Sequence, residues 1–320
     1  MTRGFVTLAT GNIKYYKMAL NMLKSFRLHN PEAKMAIVCD QKNEITSCFD
    51  DVILLESANG DYRDKFTLLV KAPYDENIFI EPDCLIYRNL DIFWEMLSKD
   101  SDFSCFGWNN GGIKCWFKSA EAQQHLLDLM PEIQNIDDAP LFNPGYFFIR
   151  RSDACKKMFD DCIKISKAVS EDDFLNSYPP IHVNGKLRDD EIFNIAMHIN
   201  GFICNEKPEK GKCIFLPSKY TINQIDMCKG ILNVTDKTGK EFKECSLLHF
   251  STRRANEEGL YLWQKTITDC LYKKPNSVWA KILNNSFFEY LFAAFRYVKT
   301  RLKLLIKMVK NKFFNAKVMH

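Results

Sequence analysis

The chain of 320 residues has no C-x-x-C pair, no Gly-rich phosphate loop, no Ser-x-Gly nucleophile elbow and no H-E-x-x-H segment. These gaps exclude a phosphate-loop NTPase, a hydrolase elbow and a zinc-protease helix. No uninterrupted apolar run approaches the roughly 20 residues needed to span a bilayer. Internal repeats and low-complexity stretches are missing too. The opening "MTRGFVTLAT" lacks the apolar centre and cleavage site of a secretory leader. The 12 cysteines are irregularly spaced, several inside apolar runs, as Cys39 is in "MAIVCD". Reduced, buried thiols in a cytoplasmic protein are therefore expected, and a secreted disulfide scaffold is not.

Composition is otherwise that of a globular protein, with 46% hydrophobic and 26% charged residues. The net charge of +4 divides unevenly. Residues 280–320 carry nine Lys or Arg and one Glu, or +8, which leaves residues 1–279 at 4 − 8 = −4. An acidic body argues against nucleic-acid binding. The pattern predicts a body over residues 1–274, with halves 1–100 and 101–274, and a separate tail over 275–320 beginning at Pro275.

Within the body, "GFVTLAT", "KMAIVCD", "DDVILLE" and "ENIFI" are short apolar runs of strand type. "NIKYYKMALNMLKSFRLHN" has Met18, Met22 and Phe26 at helical spacing and stops at Asn30-Pro31. "RDKFTLLVKAPY" reads as a second helix, and "WNNGGIK" as a turn. This order predicts an α/β fold, with a mainly parallel sheet between helices, since parallel strands buried on both faces are continuous apolar runs. Further on, "LFNPGYFFIRRS" predicts a strand entering the helix "DACKKMFDDCIKISKAV". "DDEIFNIAMHIN" and "EEGLYLWQKTITDCLY" predict helices, and "FICNE", "CIFLP" and "SLLHFS" short strands.

The chemistry concentrates in "IFIEPDCLI". Glu81 and Asp83, at i and i+2 after a buried strand, face one side. Open α/β sheets bind ligands outside the carboxyl ends of their strands, and such oxygen pairs suit Mg²⁺ or Mn²⁺ bridged to phosphate. A solvated turn at Pro82 is the plain alternative. His249 follows an apolar strand and precedes Arg253 and Arg254. An imidazole completes a ligand set, and guanidinium groups grip phosphate, while a purely structural histidine after a strand is the plain alternative. Asp189, Asp190 and Glu191 open a helix, where acids favour the dipole whether or not they also serve a substrate.

In order and spacing these segments resemble GT-A fold glycosyltransferases, most of all the retaining family 8 type. The opening strand–helix–strand is similar to their nucleotide-binding start. "DKFTLLVKAPYDENIFIEPDCLI" resembles their D-x-D segment, "LFNPGYFFIR" their F-N-x-G strand, "RDDEIFN" their D-Q-D-x-L-N motif and "LHFSTRR" their late H-x-x-G-x-x-K segment. The resemblance spans residues 4 to about 270 and implies a GT-A, Rossmann-like fold. It implies a nucleotide pocket lined by Thr7, Ala9, Thr10 and Tyr15, with Asp40 beside it and Lys65 on the donor. Glu81, Asp83 and His249 would hold Mn²⁺ or Mg²⁺, Asn143 and Gly145 would border the sugar and acceptor, and Asp189 and Asp190 would meet the transferred sugar. The chain departs from the pattern in having Glu81 and Pro82, Asp190 for Gln, Thr252 for Gly and Ala255 for Lys. Arg253 or Arg254 would supply the missing charge.

The expected activity is metal-dependent, retaining transfer of a hexose from a UDP-linked donor to a glycan or glycolipid, in cell-surface polysaccharide or lipopolysaccharide synthesis. A nucleotidyltransferase would carry a basic Gly-rich loop after the first strand, which "LATGNIKYY" is not. An inactive nucleotide-sugar-binding module is the other alternative. In the tail, Leu291, Phe295, Val298, Leu302, Leu305, Ile306, Val309 and Phe313 recur at three and four, flanked by Arg296, Lys299, Lys303, Lys307 and Lys310. That spacing predicts a basic amphipathic helix lying on an anionic membrane surface, peripheral to the cytoplasmic face. Packing on the body is its alternative.

Overall fold

The computed structural model describes residues 1–99, 101–108, 140–168, 189–205, 213–216, 220–236, 238–250 and 255–274, with residues 124, 127, 128, 131 and 278 singly. The basic tail apart from Val278, the "WNNGGIK" turn after Trp108, Arg253 and Arg254 lie outside the described residues, as do Thr252 and the loop before Asp189.

The first strand, β1 (Arg3–Ala9), enters α1 (Ile13–His29), and β2 (Met35–Cys39) and β3 (Asp51–Leu54) follow. A 3₁₀ turn (Tyr62–Thr67) and the short α2 (Leu68–Lys71) lead to β4 (Glu76–Ile80), β5 (Cys84–Ile86) and α3 (Asp91–Leu97). Then come β6 (Phe103–Trp108), β7 (Leu141–Arg150), α4 (Asp153–Ala168) and α5 (Asp189–Ile199). The last part holds β8 (Cys213–Leu216), β9 (Tyr220–Asp226), β10 (Ile231–Asp236), β11 (Glu241–Phe242), β12 (Leu247–Phe250) and α6 (Ala255–Lys273).

The main sheet has the order β3-β2-β1-β4-β7-β6. Its first four strands are parallel, and β7 and β6 run antiparallel to their neighbours. The expected α/β architecture with a mainly parallel sheet is what the chain forms. Alternation along β1 explains the layers. Val6 and Leu8 join Ala36, Val38, Phe66, Met158 and Phe193 on one face. Phe5 and Ala9 join Ile37, Met22, Phe26 and Trp94 on the other. Phe193 of α5 is a hub, its ring within 5.2–6.3 Å of Phe66, Phe103, Phe142, Phe147 and Phe159. Asn194, also buried, brackets Phe142 of β7 through its N–H at 2.9 Å and its carbonyl at 3.4 Å, so α5 is fixed to the sheet.

Two smaller sheets, β5-β12-β8 and β11-β10-β9, hold the remaining strands among the described residues. Their core includes Leu85, Leu232, Val234, Leu248, Phe250 and Tyr261, with Met18 reaching in from α1.

The structure differs from expectation in three places. "RDKFTLLVKAPY" is not one helix. The Asp61 carboxylate caps Arg63 N at 3.0 Å and the Thr67 hydroxyl donates to the Asp64 carbonyl at 2.7 Å, so the first turns wind as 3₁₀ and only Leu68–Lys71 is α-helical before Pro73. "FICNE" forms no strand among the described residues. Gly201, at φ 69°, turns the chain out of α5, and Asn205 alone pairs with Phe106. The β9–β10 hairpin, β5, β6 and α3 are present without having been anticipated. Along β9 and β10 a register shift between Asn233 and Val234 breaks the alternation that marks a strand.

Candidate active site

The carboxyl ends of β1, β2 and β4 open toward one edge, where the chain gathers acids from distant segments. Glu81 follows β4, and its backbone N–H donates to the Gly145 carbonyl of β7 at 2.7 Å. The turn through Pro82 is closed by Cys84 N donating to the Glu81 carbonyl at 3.1 Å. Asp83 is then tied to β12, since Phe250 N donates to the Asp83 carbonyl at 3.2 Å. In the antiparallel β5–β12 pair, His249 lies directly opposite Cys84. Backbone register alone therefore carries the imidazole to the two acids.

His249 Nε2 lies 2.8 Å from Glu81 Oε2 and 3.1 Å from Asp83 Oδ1. The Tyr146 ring stands edge-on, 6.5 Å from the imidazole centroid. On the other side of Glu81, the buried Lys65 ammonium bonds Glu81 Oε1 and also Asp189 Oδ2 at the start of α5. Burial works against a charged imidazole at His249, but the Asp83 and Glu81 carboxylates outweigh it and raise its pKa to about 10. Burial likewise opposes the Glu81 charge, and Lys65 and His249 overcome it and hold the carboxyl at about 2. For Lys65 the desolvation cost is exceeded by the attraction of Asp189 and Glu81, so its pKa rises.

The residues expected to hold a metal thus meet. Glu81 and Asp83 oxygens stand 2.8 and 3.1 Å from one imidazole nitrogen. Adjacent donors around an ion holding oxygens at about 2.1 Å are about 3 Å apart, and both acids stand at that distance from His249 Nε2. Among the described residues, a donor group within 4.8 Å is formed by Asp83, Cys84 and His249. Sequence reasoning passed over Cys84, although it sits directly between Asp83 and its strand. Its thiol is buried in the apolar cluster with Ile80 and Tyr146, where it packs as a small hydrophobe.

A second cluster occupies the ends of β1 and β2. Asp40 Oδ2 accepts Gly11 N at 2.8 Å, and Asp40 Oδ1 accepts the Tyr16 hydroxyl. Thr10 donates to Asp64 Oδ2 at 2.7 Å. Tyr15 is exposed on the first turn of α1. Thr7 is buried inside β1, its hydroxyl without a hydrogen-bond partner among the described residues. Ala9 is buried in the apolar cluster that includes Tyr16 and Ala19 of α1. Gly145 is buried in β7, with Asn143 two residues before it in that strand. Asp190 follows Asp189 in α5, and its carbonyl accepts from Asn194 Nδ2 at 2.5 Å.

No family model matches the sequence, and no curated protein matches it either. Solved structures of glycosyltransferases resemble it. GlyE of Streptococcus pneumoniae TIGR4 is 12% identical, with a TM-score of 0.40 over 65% of this chain and 46% of that one. The galactosyltransferase LgtC, solved with donor and acceptor sugar analogues, is 12% identical, with a TM-score of 0.48 over 86% and 97%. The bifunctional glycosyltransferase WbbM is 12% identical, with a TM-score of 0.42 over 67% and 40%. The chain therefore spans less than half the length of GlyE and WbbM. Likeness of this degree says nothing about substrate, and a functional reading stands on the side chains.

Proposed function

We propose that the protein is a glycosyltransferase that moves a hexose from a nucleoside diphosphate sugar, UDP-linked, to a glycan or glycolipid. One observation carries the reading. The three carboxylates Glu81, Asp83 and Asp189 converge with Lys65 as their fixed cation and His249 as a titratable one. With His249 protonated these groups sum to −3 + 2 = −1, and a divalent ion that displaced the imidazole proton would meet −3 + 1 = −2, the charge it cancels. Glu81, Asp83 and His249 would hold Mn²⁺ or Mg²⁺. Bound there, the ion would neutralise charge developing on a departing diphosphate without any proton transfer.

The remaining work falls to this chain's own groups. Lys65 holds Asp189 and Glu81 in fixed relation, so the first turn of α5 is presented to the acid pair. Asp189 and Asp190 would orient the sugar hydroxyls. Retention requires no strong base on the acceptor, and the departing phosphate takes the acceptor proton; under inversion that role would pass to Asp189 or Asp190. Arg253 and Arg254, next after the β12 segment, are proposed as further phosphate contacts.

Purified protein with Mn²⁺ and a panel of nucleotide sugars, assayed for nucleoside diphosphate release, tests the reading. Release from one donor, lost with EDTA, is the expected result. Absence of release and of binding across the panel would overturn it.

For residues 275–320 we propose a tail that docks on an anionic membrane of the cytoplasmic face, where a lipid-linked acceptor of cell-surface polysaccharide synthesis would lie. Its support is the +8 charge and the apolar spacing of residues 280–320. No helix among the described residues is long and apolar enough to cross a membrane. Cosedimentation of the full chain with anionic and neutral vesicles, against a chain ending at Lys274, separates docking from packing on the body.

A further inference from the structure

The side chain preceding Lys65 bonds groups outside the acid cluster and has no place in the reaction as described. Asp64 is fully buried, and its carboxylate collects four neutral donors. Oδ1 accepts Asn59 N at 2.7 Å and Asn59 Nδ2 at 3.0 Å, and Oδ2 accepts Gly60 N at 2.9 Å and the Thr10 hydroxyl at 2.7 Å. Burying a carboxylate is costly, and it is tolerated where fixed donors meet its lone pairs. Here those donors belong to two different loops. Thr10 begins the loop between β1 and α1, and Asn59 and Gly60 end the loop after β3.

The backbones of these loops touch. Gly11 and Gly60 both lie at φ 73°, and a Cβ on Gly11 would fall 2.8 Å from the Gly60 carbonyl oxygen. Only glycine tolerates that conformation and that approach together. On its far side the first loop is held by Asp40, through Gly11 N at 2.8 Å. The Thr10–Gly11 loop is thus pinned between two carboxylates, one from β2 and one from the 3₁₀ turn. The same turn places Lys65 on Glu81 and Asp189.

We infer that Asp64 is a positioning residue of the nucleotide pocket: it latches the loop after β1 to the loop after β3 and so pre-forms the seat of the nucleoside diphosphate. This rests on the proposed transferase function and adds to it a residue that touches neither donor nor metal. Pre-formation appears as affinity, because a loop already ordered is not ordered at the ligand's expense. Asparagine at this position keeps the volume but turns an NH₂ toward donors that need an acceptor.

The test uses the full chain and titration calorimetry with UDP in Mn²⁺. Asp64→Asn should weaken UDP about tenfold. In steady state it should raise the donor KM by a similar factor and leave kcat at saturating donor within about threefold. Mn²⁺ binding measured alone, by electron paramagnetic resonance, should be unchanged. Amide exchange at Asn59, Gly60 and Gly11 should accelerate in the unliganded variant. If Asp64→Asn does not fold, Asn59→Ala, which removes one side-chain donor and leaves the acid, should weaken UDP about threefold. Wild-type protein that binds no nucleoside diphosphate overturns the transferase reading itself. Wild-type binding that is equal in Asp64→Asn, or in Asn59→Ala where that variant must serve, overturns the positioning role alone. A fall in kcat with KM unchanged overturns it as well.

Discussion

Two groups of acids at the strand ends, half-buried except for the fully buried Asp64, are compensated in opposite ways. Glu81 and Asp189 are answered by an ammonium, and Glu81 and Asp83 by an imidazole. Asp64 and Asp40 are answered by amide N–H groups, a hydroxyl and a phenol. A carboxylate held by neutral donors of the backbone has no need of another cation. A set of carboxylates whose cations are side chains can exchange charge with an incoming ion or phosphate. The comparison separates a rigid neutral seat from a cationic exchange site, with the 3₁₀ turn supplying Asp64 to one and Lys65 to the other.

The sharpest way to break this contrast is Lys65→Met. It leaves Glu81 and Asp189 facing each other without their shared ammonium, and should cost roughly 3–5 kcal/mol of stability. Chemical denaturation measures it, and Mn²⁺ should restore more stability to this variant than it adds to wild type. Asp83→Ala removes an oxygen from the exchange site and leaves the neutral seat intact. Metal-dependent UDP binding should fall by about a hundredfold, with the melting temperature little changed. Calorimetry with and without Mn²⁺ decides, and equal affinity would remove Asp83 from the metal site.

Acid sensitivity needs a control away from both groups, and His29 provides it. Burial lowers its pKa to about 4, the Met227 carbonyl opposes that shift, and nearby Arg88 adds to it. A depressed folded-state value means that the unfolded chain binds the proton first. Stability is complete above the unfolded value of about 6.5 and is lost as pH falls toward 4, by roughly 1–3 kcal/mol. His29→Gln should flatten that part of the stability profile, and a melting series from pH 7 to 4 would show it. The smallest expected effect is at the neutral seat's outer acid. Asp40→Asn keeps one acceptor for Gly11 N or the Tyr16 hydroxyl but not both, and should cost about 1 kcal/mol.

The parallel half was legible because its strands are buried on both faces and announce themselves as apolar runs. Met35–Cys39 is buried at every position. The Glu81–Asp83 pair and His249 were legible as chemistry following such runs. What joins them was not, since it lies in register: His249 meets the acids because β12 pairs antiparallel with β5, a strand of only three residues. Asp64 was hidden for a different reason. Its partner Thr10 lies 54 positions away, and beside Lys65 it looked like one more surface charge on an expected helix. The signal that could have exposed it was local, an Asn-Gly turn followed four residues later by an acid, where a carboxylate can cap backbone N–H groups. The β9–β10 hairpin escaped because its outer face is threonine, asparagine and glutamine bonded to one another, as Asn223 is to Thr235 and Asn233 to Gln224.

The order in which these contacts become available along the chain has its own consequence. The neutral seat closes between residues 54 apart, all contributed before β4, whereas the Lys65–Asp189 contact spans 124. The difference in loop-closure entropy is only about 0.7 kcal/mol, so length alone does not separate them. Synthesis does. A chain emerging from its N-terminus has presented every residue of the neutral seat before β12 arrives with His249. The cation end is finished only when the third apolar cluster, with Leu248 and Phe250, has packed. On the proposed reading, metal-dependent affinity would report that β12, the last strand among the described residues, is in place.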